Sequence, residues 1–167
     1  GSSLRESSGA RLAVGAELVL LRTTQDKRTS LHAVDPVARE LRWSVEGIYD
    51  HCPAVEVDAG VVVQHGPGRA GAGDATNPLV LLSGEDGSEL AALSDDGEPL
   101  RGCTGLVGHG DVVVYHHGAD VRAYRVTSTA IRPLWQDALG THTAALHVVD
   151  GHLLALTHDA GVATLTT

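Results

Sequence analysis

The sequence predicts an all-β fold made of about four consecutive units of four-stranded antiparallel sheet. Three observations carry this. Four short aliphatic runs recur, "ELVLLRT" (17–23), "GVVVQHG" (60–66), "DVVVYHH" (111–117) and "HLLALTH" (152–158), with starts 43, 51 and 41 residues apart. The chain has no Phe and no Met and only 3% aromatic residues, so its core must come from Val, Leu, Ala and Ile, side chains that suit closely packed pleated sheets. No sustained i, i+3, i+4, i+7 apolar pattern runs through it, and its 20 glycines argue against long helices.

The strands follow in order around those runs. Each run is three or four aliphatics bounded by Gly or polar residues, which reads as a strand covered on both faces. A strand precedes each: "RLAV" (11–14), "AVEVD" (54–58), "TGLVG" (104–108) and "ALHVV" (145–149). Another follows: "LHAVD" (31–35), "LVLLS" (79–83), "VRAYR" (121–125) and "GVATLT" (161–166). A last strand closes the first three units: "LRWSV" (41–45), "ELAALS" (89–94) and "LWQDA" (134–138). The units span about 11–45, 54–94, 104–138 and 145–167, after a tag or linker at 1–10.

A four-stranded meander standing alone leaves two open edges and two apolar faces. Stacking such sheets radially buries the faces, and units of 40–50 residues have the length of β-propeller blades. The expectation is a β-propeller or partial propeller; a β-sandwich is the alternative and would not require the repeat.

Residues 33–43 carry a recognisable pattern. Ala33, Asp35 and Trp43 stand at the offsets of Ala-x-Asp-x-x-Thr-Gly-x-x-x-Trp, so the segment resembles the repeat of PQQ-like (quinoprotein-type) β-propellers. Ala38 and Arg39 replace the usual Thr and Gly, so the tight turn should be made differently there. The second unit keeps Gly87 but has Ala91 in place of Trp; the third keeps Ala123 and Trp135 with two extra residues between them. The resemblance implies that Trp43 and Trp135 are structural, packing between neighbouring blades. The bottom-up expectation agrees, since a large buried ring contributes several kcal/mol.

Four repeats are present with only three outer strands. Propellers of the resembled family usually have six to eight blades, so the expectation is a fragment or half of a ring that a second copy completes as a homodimer; a closed four-bladed ring is the alternative and would need its last outer strand from the polar "SSLRE", a poor strand sequence. "GSS" at the start reads as an expression-tag remnant, with a native leader or anchor removed.

Cys52 and Cys103, the only cysteines, stand at equivalent places in consecutive units, each 9 residues before a Val of the aliphatic run. A disulfide is expected, worth about 4 kcal/mol in the chain-entropy model, and with it an extracytoplasmic location: periplasmic, cell-envelope or secreted. The spacing carries no zinc signature. A net charge of −9 argues against nucleic acid and anionic lipid as partners. No run of 18 apolar residues is present to span a membrane. Arg-dominated basicity, with Lys27 the only Lys, and abundant Ala, Gly, Val and Asp point to a GC-rich bacterial genome.

Ten histidines are the main source of candidate chemistry. Aligning the four runs places Arg22, His65, His116 and Thr157 at one position and Thr23, Gly66, His117 and His158 at the next. A face bearing Arg22, His65, His116, His117 and His158 could hold an anion, a carboxylate or a metal. The bland alternative is solvated loop residues, and no acidic residue recurs beside them to orient the rings. The Gly-rich insertion "HGPGRAGAGDATNP" (65–78) lacks the ending and the helix of a phosphate loop and reads as a surface loop. "GEDG" (84–87) lacks the ligand spacing of a calcium loop and reads as a hairpin turn. No activated nucleophile pattern is found.

No catalytic, metal or cofactor-binding residue is therefore assigned and no cofactor is expected. The function expected is a non-catalytic extracytoplasmic bacterial module that binds a protein partner as a scaffold or senses a ligand. The alternative is a fragment of a PQQ-dependent quinoprotein dehydrogenase, which by family knowledge needs a calcium site and a catalytic Asp that this sequence does not let us assign. A sugar binder has few stacking rings to use: Trp43, Trp135, Tyr49, Tyr115 and Tyr124 are all the aromatics there are.

Overall fold

The computed structural model describes residues 10–25, 28–48, 52–65, 78–93, 100, 103–138, 143–149, 151–157 and 162–166. They form fifteen strands in four antiparallel sheets. The first sheet holds β1 (Ala10–Val14), β2 (Val19–Gln25), β3 (Arg28–Asp35) and β4 (Glu40–Glu46). The second holds β5 (Val55–Val57), β6 (Gly60–Gln64), β7 (Leu79–Leu82) and β8 (Glu89–Ala92). The third holds β9 (Gly105–His109), β10 (Val112–His117), β11 (Asp120–Thr127) and β12 (Ala130–Ala138). The fourth holds β13 (Thr143–Val149), β14 (His152–Thr157) and β15 (Val162–Thr166). Every sheet is a simple meander in chain order. A two-sheet sandwich is not what the chain adopts.

The repeat is visible in the register. In each of the first three sheets the pairing of the last two strands shifts after one residue, Ala33, Leu81 or Ala123. Those residues pair with Trp43, Ala91 and Trp135, the positions that the motif pattern aligns. The bulge turns the last strand at the same point each time.

Three apolar clusters join the sheets in sequence. Leu18, Leu20, Leu31, Ala33 and Trp43 of the first unit pack on Val61, Val63, Val80 and Leu82 of the second. The second sheet's other face, with Val62, Leu79 and Leu81, packs on Val113, Tyr115, Tyr124 and Val126 of the third. The third sheet's Val114, Val121 and Ala123 pack on Leu146, Leu153 and Ala155 of the fourth. The arrangement is a stack of four sheets. Among the described residues no core cluster joins the first sheet to the fourth.

This revises one sequence expectation. The aliphatic runs were all expected to be covered on both faces. Residues 61–64 and 79–82 are buried without alternation, as a covered sheet requires. In β2 burial alternates, and in β14 Leu153 and Ala155 are buried while Leu156 is exposed. Among the described residues only the two middle sheets have packed neighbours on both sides.

The turns lock the stack. In the β3–β4 turn Asp35 Oδ1 accepts the amides of Val37 and Ala38, and the Arg39 amide donates to the Asp35 carbonyl. In the β7–β8 turn Ser83 Oγ accepts the amides of Glu85 and Asp86, and the Gly87 amide donates to the Ser83 carbonyl. Arg39 and Gly87 are thus the same turn position, with φ of 60° and 72°. The first turn was expected to be built differently because it lacks the glycine; instead Arg39 takes the left-handed conformation that glycine supplies in the second. "GEDG" is the hairpin turn it was read to be.

Candidate functional site

The residues singled out as a ligand face occupy two rows, and the structure moves one of them. Arg22 pairs with Leu31, Gln64 with Leu79 and His116 with Val121, so the structural counterpart of Arg22 and His116 is Gln64. His65 belongs to the next row, with Thr23 and His117. The one-residue offset arises because alignment of the runs sets Gly60 beside the turn residue Asp111, whereas register makes Gly60, paired with Val57, the counterpart of Val112, paired with His109.

This row is buried, not solvated: Arg22, Gln64 and His116 are 6%, 0% and 2% exposed. Its polar atoms serve the backbone. An Arg22 guanidinium nitrogen donates to the Cys52 carbonyl, and Gln64 Oε1 accepts the Cys103 amide at 2.8 Å. Each side chain thus reaches from the end of one unit's second strand to the start of the next unit, satisfying buried groups that water cannot reach. His116 Nδ1 lies 3.0 Å from Thr104 Oγ1, and its ring fits because residue 105 is Gly; a Cβ there would meet Nε2 at 2.0 Å. Burial, and to a lesser degree the neighbouring His117, push the His116 pKa below its ordinary value. His65 is buried, His117 is half-buried, and His158 lies outside the described residues.

Cys52 and Cys103 are bonded to each other, with Cα atoms 5.2 Å apart and a separation of 51 positions in sequence. The bridge joins the two segments that Arg22 and Gln64 hold. Trp43 is buried and donates from Nε1 to the Gly84 carbonyl of the second unit at 3.0 Å. Trp135 is partly buried against the cluster between the third and fourth sheets. Both rings sit between sheets, where a structural role places them.

A cavity of about 470 Å³ opens between the first two sheets, lined by Val45, Glu46, His65, Leu82, Gly87, Ser88 and Glu89. Among the described residues no group of three or more His, Cys, Asp and Glu is placed to hold a metal ion. No helix among them is long and apolar enough to cross a membrane. Most of the 65–78 insertion, and Tyr49, lie outside the described residues.

The half ring expected from sequence leaves two end faces open, and the structure shows which residues they carry. Register places Leu12, Val14, Val19, Leu21, Val34 and Leu41 together on the outer face of the first sheet. Leu12, Val14 and Leu41 are 65%, 75% and 60% exposed. On the outer face of the fourth sheet, Val149 and Leu156 are 49% and 47% exposed. Leu154 lies with them, half-buried, beside His147 and His152. The signal was present in the text of the sequence as aliphatic residues on both registers of β1, β2 and β14, but nothing in it says which sheet ends the stack.

The chain shares its fold with a designed protein. The crystal structure of the computationally designed Ika4 protein superposes with a TM-score of 0.65 at 17% identity, covering 99% of this chain and 95% of that one. The computationally designed Ika8 protein gives a TM-score of 0.46 at 13% identity, over 97% of this chain and 72% of that one. No protein-family model and no curated protein matches the sequence.

Proposed function

We propose that the chain is a non-catalytic, partial β-propeller that works outside the cytoplasm as a protein-interaction module. One observation carries this reading: the end sheets expose clusters of aliphatic side chains, Leu12, Val14 and Leu41 on the first and Val149 and Leu156 on the fourth, next to the polar residues His32 and His152, on the faces opposite those packed in the stack. Exposed apolar patches of this kind mark interaction sites in soluble proteins. The polar candidates point the same way. Arg22 and Gln64 are committed to backbone atoms and His116 to Thr104, which leaves little for binding a charged ligand or activating a nucleophile. The first-to-second-unit contacts of Trp43 and the regular bulges support a blade-like unit, and the Cys52–Cys103 bridge supports an oxidising compartment.

The test is site-specific photo-crosslinking of the exported protein, with a benzophenone amino acid replacing Leu12 or Leu156. Both positions should give protein adducts, and Val37, 92% exposed on the β3–β4 turn, should give none. If Leu12 and Leu156 crosslink no more than Val37, the end faces are not interaction surfaces.

A further inference from the structure

We infer that the occupant of these faces is a second copy of the chain, docked so that the fourth sheet of each covers the first sheet of the other. The inference rests on reading the end faces as interaction surfaces and names what binds them.

The argument is the polarity of the stack. Ala33, Leu81 and Ala123 are equivalent, and each faces the sheet that follows. The next residue of the same strand faces the sheet that precedes: Leu82 packs on the first sheet and Tyr124 on the second. The second strands obey the same rule. Val62 and Val114 face forward, while Val61 with Val63, Val113 with Tyr115, and Leu153 with Ala155 face back. Every junction is therefore front to back, with one operator repeated.

Two faces remain, and they are of opposite kinds. Val34, Val19 and Leu21 of the first sheet occupy the backward-facing positions. Leu154 of the fourth sheet, next in register to the back-facing Leu153 and Ala155, occupies the forward-facing one. An open fourth-sheet face is built to receive a first-sheet face. Among the described residues nothing covers either face: Leu12 and Val14 at one end and Val149 and Leu156 at the other are exposed. A second copy supplies both at once. A two-fold axis makes two identical junctions, each continuing the order of the internal ones, and the stack closes with eight sheets. Pairing like with like, first sheet on first sheet, would break the front-to-back rule.

Sedimentation equilibrium of the full chain should give twice the 17.3 kDa chain mass. Val14→Glu and Leu156→Lys should each fold, with an unchanged far-ultraviolet circular dichroism spectrum, and each should weaken the dimer at least about 100-fold by placing an unpaired charge in an apolar junction. Mixed in equal amounts they should form dimers again, since one junction is then unmodified and the other joins Glu to Lys. A monomeric parent, a mass that rises without limit with concentration, or a dimer lost in only one of the two variants overturns the head-to-tail ring. The crosslinks above separate the two readings. A protein adduct without self-crosslinks defeats the second copy alone, and no adduct at all defeats the interaction module as well.

Discussion

Replacing Gly87 by Ala should destabilise the protein by about 2–4 kcal/mol, and the structure supplies two separable parts of that cost. The first is the backbone. At φ +72° a side chain is strained by roughly 1–2 kcal/mol, partly offset by the smaller conformational freedom of Ala in the unfolded chain. The second is contact. A Cβ on residue 87 would stand 2.8 Å from Trp43 Cδ2 and 2.9 Å from Cε3. The ring cannot swing aside freely, because it is buried and Nε1 is bonded to the Gly84 carbonyl. Overpacking of this kind costs about 1–3 kcal/mol. Urea unfolding followed by circular dichroism reads the total. The same substitution in a Trp43→Leu background isolates the backbone part, which should be about 1 kcal/mol. If Gly87→Ala lies within about 0.5 kcal/mol of the parent, or costs the same in both backgrounds, then Gly87 does not seat the ring between the sheets.

The equivalent turn should respond with the opposite sign. Arg39→Gly relieves a left-handed residue with open surroundings and should stabilise by about 0.5–1 kcal/mol, raising Tm by about 1–4 °C; no gain would mean the turn is unstrained. His116 is held neutral by burial, its pKa below the ordinary 6.5, so the native state binds fewer protons than the unfolded chain. Its contribution is present above about pH 6.5 and declines as the pH falls, and His116→Gln, copying Gln64, should remove that part of the acid sensitivity; an unchanged profile would contradict this. Cys52→Ser with Cys103→Ser should cost about 4 kcal/mol in urea unfolding, and a cost below about 1 kcal/mol would show that the bridge closes no costly loop. Asp35 is held at about 2 by the Ala38 amide, then Arg42 and the Val37 amide. Its stabilisation is present above the ordinary 3.8 and lost as pH falls through about 2; carboxyl NMR titration should find that midpoint, and Val37→Pro, which deletes one of the donating amides, should raise it, while an unchanged midpoint would contradict the assignment.

What the sequence made legible was whatever is periodic. The four aliphatic runs, the strands around them and the Ala33, Ala91, Ala123 and Trp135 correspondences depend on local pattern, and the sheets form where that pattern lies. The Cys52–Cys103 bridge followed from equivalent positions, because equivalent positions in a stack come close. The candidate ligand row failed at His65 because alignment by resemblance took Gly60, already the first strand residue, as the counterpart of the turn residue Asp111, and one place exchanges the faces of a strand. Gln64, which the row needed, carries no mark of its role in the sequence; its partner is a backbone amide 39 residues away. Which residues line the open faces was illegible for a related reason. Leu21 and Val63 are both aliphatic and stand at equivalent places, and only the place of the sheet in the stack decides that one is covered and the other is not.

Hydroxyl-radical footprinting across a dilution series tests the central claim most directly. Leu12, Val14, Val149 and Leu156 should be shielded at high concentration and become reactive together on dilution, while Val37 on its turn reacts throughout. Uniform reactivity of the four at every concentration would contradict a stack whose two ends are made to be covered.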